Sequence, residues 1–210
     1  MYQAIVFLPL LGALIAGLFG RAIGHRPAEL VSTGLLLASA ALSCMAFANI
    51  MMTGETMSVH VLSFIHSGTM SIDWVLRIDA LTCVMLVVVT GVSSLVHIYS
   101  IGYMSHDPGR ARFFSYLSLF TFMMLMLVTA DNFVQLFFGW EGVGLASYLL
   151  IGFWYKKPSA NAAAMKAFVV NRVGDFGLIL GMAAIYFIVG SLQFDEVFAS
   201  ASALADSQFD

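Results

Sequence analysis

Six predominantly apolar stretches, each roughly 20 residues or longer, fix what this chain can fold into. A helix needs about 20 mostly apolar residues to cross the hydrocarbon core of a bilayer. The stretches run at about 2–20, 30–52, 80–104, 113–130, 133–155 and 162–189. Polar or turn-forming segments separate them: RAIGHRPAE, SHDPGRAR with the Pro108-Gly109 breaker, Asp131-Asn132 and KKPSAN. The fourth and fifth must be two helices. Read as one, they would run about 43 residues, or roughly 64 Å, twice the hydrocarbon thickness. The first stretch lacks a basic leading segment and an A-x-A-like cleavage site, so it is expected to stay as a span.

Composition agrees. Of 210 residues, 60% are hydrophobic and 10% charged, and mean hydropathy is +0.93. Nine Lys+Arg and twelve Asp+Glu cannot cover a globule of this size, which excludes a soluble enzyme, a nucleic-acid binder and a disordered chain. The expected fold class is an all-α polytopic membrane protein with about six transmembrane helices. Residues 53–78 mix β-branched and polar residues with glycine turns, so an extramembrane β-hairpin-like loop is expected between the second and third spans. The chain then divides into 1–112 (spans one to three with outer loop 53–78), 113–190 (spans four to six) and 191–210, an amphipathic outer helix followed by a loop.

Basic residues orient the spans. Arg21 and Arg26 lie in the first connection, Arg110 and Arg112 in the third, and Lys156, Lys157 and Lys166 at the fifth, against Arg77 alone at the second. The positive-inside rule puts the odd-numbered connections in the cytoplasm or matrix and both termini outside.

Three ionisable residues fall deep inside spans: Glu141 in the fifth, and Arg172 and Asp175 in the sixth. His97 lies in the inner half of the third. Charges at mid-bilayer are costly and tend to mark a polar pathway. Measured from the inner ends of their helices, Glu141 sits about 21 Å deep, Asp175 about 20 Å and Arg172 about 15 Å, so the three can meet between antiparallel neighbours. Arg172 and Asp175 are spaced i,i+3 and can pair; that pair reads equally well as a structural tie that fixes helix register. Glu141, in GWEGVG, has no opposite charge within one turn of its own helix. Burial without a counter-charge is the condition under which a carboxylate exchanges protons near neutral pH, so Glu141 reads as a proton carrier. His97 is a candidate relay or a partner for a carbonyl. Asp79 and Asp131 read as N-caps of the third and fifth helices.

There is no GxGxxG or Walker loop, no helix with paired histidines and no thiolate cluster; Cys44 and Cys83 stand apart in apolar runs. No cofactor or metal is therefore expected on this chain. The residues by themselves describe a proton or cation translocator, or part of one.

Three segments carry a resemblance: IDALTCVMLVVVTGVSSLVHIYSIGYM, TADNFVQLFFGWEGVGLASYLLIGFWY and NAAAMKAFVVNRVGDFGLILG. They resemble the antiporter-like subunits of the proton-pumping NADH:quinone oxidoreductase (respiratory complex I), and among them subunit 5, or chain L. The resemblance runs from about residue 70 to 190. It implies a helical bundle built of inverted repeats with discontinuous helices, each repeat a half-channel for protons. Glu141 matches the family's key glutamate, Arg172 and Asp175 its charged pair on the next helix, and His97 its third-helix signature. Family members continue through a broken helix whose lysine pairs with the glutamate, so this sequence reads as the amino-terminal portion of an incomplete antiporter-like bundle, with 113–190 opening the translocating domain. The implied role is that of a non-redox subunit of the translocase, not catalytic alone. NADH, FMN, iron–sulfur clusters and quinone are expected on other subunits. The implied partners are the other membrane-arm subunits, above all a neighbouring antiporter-like subunit, together with the lipid bilayer and protons, and no nucleic acid. The expected location is the bacterial cytoplasmic (inner) membrane, ahead of the mitochondrial inner membrane. The rival readings are a subunit of an Mrp-type cation/proton antiporter and an inactive truncated fragment.

Overall fold

The computed structural model describes residues 1–67 and 70–204. Six helices are long and apolar enough to cross a membrane: α1 Tyr2–Ile23, α2 His25–Thr53, α3 Ala80–Tyr103, α4 Arg110–Val128, α5 Phe133–Ile151 and α6 Pro158–Val189. A short helix, α7 Phe194–Leu204, follows. Between α2 and α3 lies an antiparallel hairpin of β1 Met57–Ser67 and β2 Met70–Ile78. The protein is an all-α polytopic membrane protein with one β-hairpin, as its hydropathy pattern implies. Residues 68–69, and residues 205–210 within the expected outer segment 191–210, lie outside the described residues.

Helix ends depart from the apolar runs in instructive ways. α2 starts at His25 rather than near Leu30, because Gly24, at φ +90°, breaks the chain and the polar stretch after it is already helical. α1 runs past Gly20 to Ile23 through a wider π-helical stretch, Ile15–Phe19. α6 begins at Pro158, a residue whose fixed φ suits a first helical turn, and ends where Gly190 takes a left-handed conformation. Asp79 caps α3, accepting from the Thr82 N–H at 2.8 Å. The cap of α5 is Asn132, accepting from the Gln135 N–H at 2.8 Å, and not the expected Asp131. Asn132 also donates to the Asp73 carbonyl at 3.0 Å and so ties the hairpin to the bundle.

The buried core joins α1, α2, β2, α3 and α4 at the hairpin end, around Ile5, Ile50, Leu76, Leu86, Phe122 and Leu125. β2 is stitched down by the Arg77 N–H donating to the Thr129 carbonyl at 2.9 Å. Opposite, at the end rich in Arg and Lys, small residues Ala16, Ala28 and Ala111 let α1, α2 and α4 close together. α5 contributes no residue to this core; it leans on α4 through Gly139, where an added Cβ would stand 2.6 Å from the Leu127 Cα. α6 packs chiefly on α5.

Candidate functional site

Only 6 residues link the end of α5 to the start of α6, so the two helices run antiparallel and their mid-sections face each other. There, Arg172 of α6 donates from Nη1 to Glu141 Oε1 of α5 at 2.5 Å. Its Nε stands 3.4 Å from Asp175 Oδ2, one turn along its own helix. Trp140, beside Glu141 in sequence, donates its indole N–H to Asp175 Oδ1 at 2.8 Å. The Asp175 side chain is 5% exposed, Glu141 22% and Arg172 44%. The Arg172 guanidinium also covers the Phe168 ring at 4.6 Å. A cavity of about 260 Å³ opens beside the group, walled by Trp140, Glu141, Gly144, Asn171 and Asp175.

At matching depth in neighbouring helices, Glu141, Arg172 and Asp175 come together as expected, but Arg172 gives Glu141 a counter-charge. Spacing along one helix cannot reveal a partner that reaches across from the next. One guanidinium faces two carboxylates, so with all three ionised the group carries one negative charge more than positive.

His97 is not part of this group. Fully buried on α3, it bonds through Nδ1 to the Ser93 carbonyl at 2.8 Å and through Nε2 to Ser118 Oγ of α4 at 3.0 Å. A carbonyl only accepts, so Nδ1 carries the proton. In the neutral ring Nε2 then accepts from the Ser118 hydroxyl. Ser118 Oγ lies 2.6 Å from Ser32 Oγ of α2, so the chain Ser32–Ser118–His97 links α2, α4 and α3. The buried pair of Glu29 on α2 and Arg110 on α4, at 2.6 and 2.7 Å, went unnoticed in the sequence because Glu29 lies in a polar break, outside the apolar run. Trp140 and Asn171 were missed too; their neighbours in the motifs GWEGVG and NRVGD were the only signal available.

At the hairpin end Arg77 gathers three carboxylates: Asp195 at 2.7 Å, Asp79 at 3.4 Å and Asp131 at 3.5 Å. Burial pushes the Asp131 carboxyl up, against the pull of Arg77. Among the described residues no group of three or more His, Cys, Asp or Glu is placed to hold a metal ion.

Residues 64–114 match the family model for NADH-ubiquinone oxidoreductase (complex I) chain 5, N-terminus. Residues 130–209 match the model for the NADH:quinone oxidoreductase/Mrp antiporter transmembrane region. The NADH-quinone oxidoreductase subunit L of Rhodobacter capsulatus is 56% identical across 99% of this chain, and the NADH-ubiquinone oxidoreductase chain 5 of Chondrus crispus is 53% identical across all of it. The chain belongs to the complex I chain 5/subunit L family. It spans 30% and 31% of the length of those two relatives. Two solved structures share the fold of this family member. They are an archaeal membrane-bound sulfane sulfur reductase (TM-score 0.80, 19% identity, 97% of this chain and 41% of that one) and the Mrp complex of Dietzia sp. (TM-score 0.77, 23% identity, 98% and 21%). Relatives and fold neighbours alike are parts of membrane complexes, and the chain 5/subunit L member described here is an integral membrane protein.

Proposed function

We propose that this chain supplies the first proton-holding centre of a membrane-arm subunit of NADH:quinone oxidoreductase, with Glu141 as the proton carrier. The observation that carries the reading is one guanidinium shared by two carboxylates beside a cavity, in the middle of two spanning helices. Arg172 against Glu141 supplies the carboxylate's counter-charge. A shift of Arg172 toward Asp175 removes that counter-charge, and Glu141 takes a proton from the cavity; return of the guanidinium expels it. Trp140 holds Asp175 oriented to receive Arg172. His97, with its serine chain, serves as a relay on a separate branch. Charge shifts reach this switch from neighbouring membrane-arm subunits, the nearest of them antiporter-like. Electron transfer from NADH, through FMN and iron–sulfur clusters to quinone, takes place on other subunits, in a bacterial cytoplasmic membrane.

The test is Glu141→Gln in the assembled complex. Proton pumping and coupled quinone reduction should fall at least tenfold while assembly persists; an unchanged proton-to-electron ratio would sink the reading. A second reading, a cation/proton antiporter subunit, is favoured by the fold shared with the Dietzia Mrp complex. It requires sodium-dependent proton exchange in vesicles that lack NADH dehydrogenase.

A further inference from the structure

The six arginines fall into two groups. Arg77, Arg110 and Arg172 each meet a carboxylate, whereas Arg21, Arg26 and Arg112 have none within 4.0 Å among the described residues. Arg21 and Arg112 line a single recess of about 600 Å³ at the basic end, between the close of α1, the start of α2 and the first turns of α4. His25, Tyr116 and Tyr155 complete its polar wall, and no carboxylate lines it.

The recess is built rather than incidental. The π-helical stretch Ile15–Phe19 widens α1 where it borders the opening, and Gly17 keeps it clear, because a Cβ there would stand 2.6 Å from Ser115 Oγ. Arg112 is held in place by donating to the Phe153 carbonyl at 3.0 Å and by lying over the Phe153 and Tyr155 rings at 4.7 and 5.0 Å. Its Nε is buried with no partner. A guanidinium with five N–H donors, only one of them bonded, beside a second unpaired arginine, calls for an oxyanion. A second chamber of about 400 Å³ shares Arg112, Tyr116 and Tyr155, and extends along α5 and α6 past Leu149, Ala164 and Met165. An anion site that continues into an apolar chamber at the ends of spanning helices has the form of a phospholipid site.

We propose that this recess binds the phosphate of an anionic phospholipid between Arg21 and Arg112, with the acyl chains lying along the chamber past Leu149 and Met165. Free inorganic phosphate has the same headgroup chemistry but makes no use of the apolar chamber. The site is independent of the charged group around Glu141.

The test uses the purified protein in phosphatidylcholine nanodiscs containing phosphatidylglycerol, with retained lipid counted by native mass spectrometry. One phosphatidylglycerol should be kept in preference to phosphatidylcholine by roughly 30-fold, about fivefold for each arginine. Arg21→Gln should reduce that preference about fivefold. Arg26→Gln removes an equally unpaired arginine from outside the recess and should leave it unchanged. Arg112→Lys keeps the charge and should retain most of the preference, which guards against loss of fold in an Arg112→Gln variant. Equal retention of the two lipids, or an Arg21→Gln variant indistinguishable from the parent, would overturn the proposal. So would displacement of the retained lipid by millimolar inorganic phosphate, which would assign the arginines to the free anion.

Discussion

The most apolar stretches of helices α4 and α6 are equally apolar, yet 44% of that of α4 is buried within the protein against 6% of that of α6. α4 lies in the middle of the bundle, touching α1, α2, α3 and α5, and its inward residues Phe114, Ser118, Phe122 and Leu125 interlock with them. α6 leaves Val169, Val173, Phe176 and Phe187 uncovered. Membrane insertion and helix packing are thus separate demands. Hydropathy measures only the first, since lipid tails are as apolar as leucine. The charges follow the same division. Between its spanning helices the densely packed half holds the closed ion pair Glu29–Arg110, with Glu29 only 3% exposed. The sparse half holds the open arrangement of Glu141, Arg172 and Asp175 beside a cavity.

The largest test of this contrast is a matched pair of truncations. Phe114→Ala, in the packed half, should lower stability by about 4 kcal/mol, as deletion of a fully buried aromatic ring does. Phe176→Ala, 65% exposed on α6, should change it by less than about 0.5 kcal/mol. Unfolding in mixed detergent–SDS titrations measures both, and equal losses would erase the distinction.

Glycines give a second pair, with opposite signs. Gly139→Ala places a Cβ 2.6 Å from the Leu127 Cα, so α4 and α5 must separate, at about 2 kcal/mol. Gly174→Ala on α6 meets nothing within 4 Å and should stabilise by up to about 1 kcal/mol through helix propensity alone. The same titration reads both.

The smallest effect is at the hairpin end. Burial alone would raise the Asp79 carboxyl, but Thr82 and Arg77 outweigh it and hold it below its ordinary value. A depressed carboxyl stabilises the fold at pH values above its unfolded value, and that contribution fades as pH falls through the folded one. Asp79→Ala should therefore lose about 1 kcal/mol at neutral pH, the usual worth of a cap, with the gap to the parent closing as pH drops below the carboxylate range. A gap that stays constant with pH would place the effect elsewhere.

Much of this was legible in the residues. Spanning helices announce themselves by length and apolarity, and the hairpin by β-branched residues between glycine turns, because those signals are local. Three ionisable residues in otherwise apolar helices marked the site, and equal depth brought them together. What the chain order hid was lateral: that Arg172 reaches Glu141, that Trp140 steadies Asp175, that His97 turns toward Ser118, and that Asn132 rather than Asp131 caps α5. Each depends on the rotation of a helix about its axis or the path of a connecting loop, which packing decides. Glu29 was hidden for a related reason, since α2 begins five residues before its apolar run.

The central claim is that Glu141, sharing Arg172 with Asp175, carries one exchangeable proton. Infrared difference spectroscopy across a pH titration of the membrane-reconstituted protein tests it most directly, through the C=O stretch that only a protonated carboxyl shows. The account predicts one carboxyl band that grows as pH falls and is missing in Glu141→Gln. A band of undiminished intensity in Glu141→Gln would contradict it.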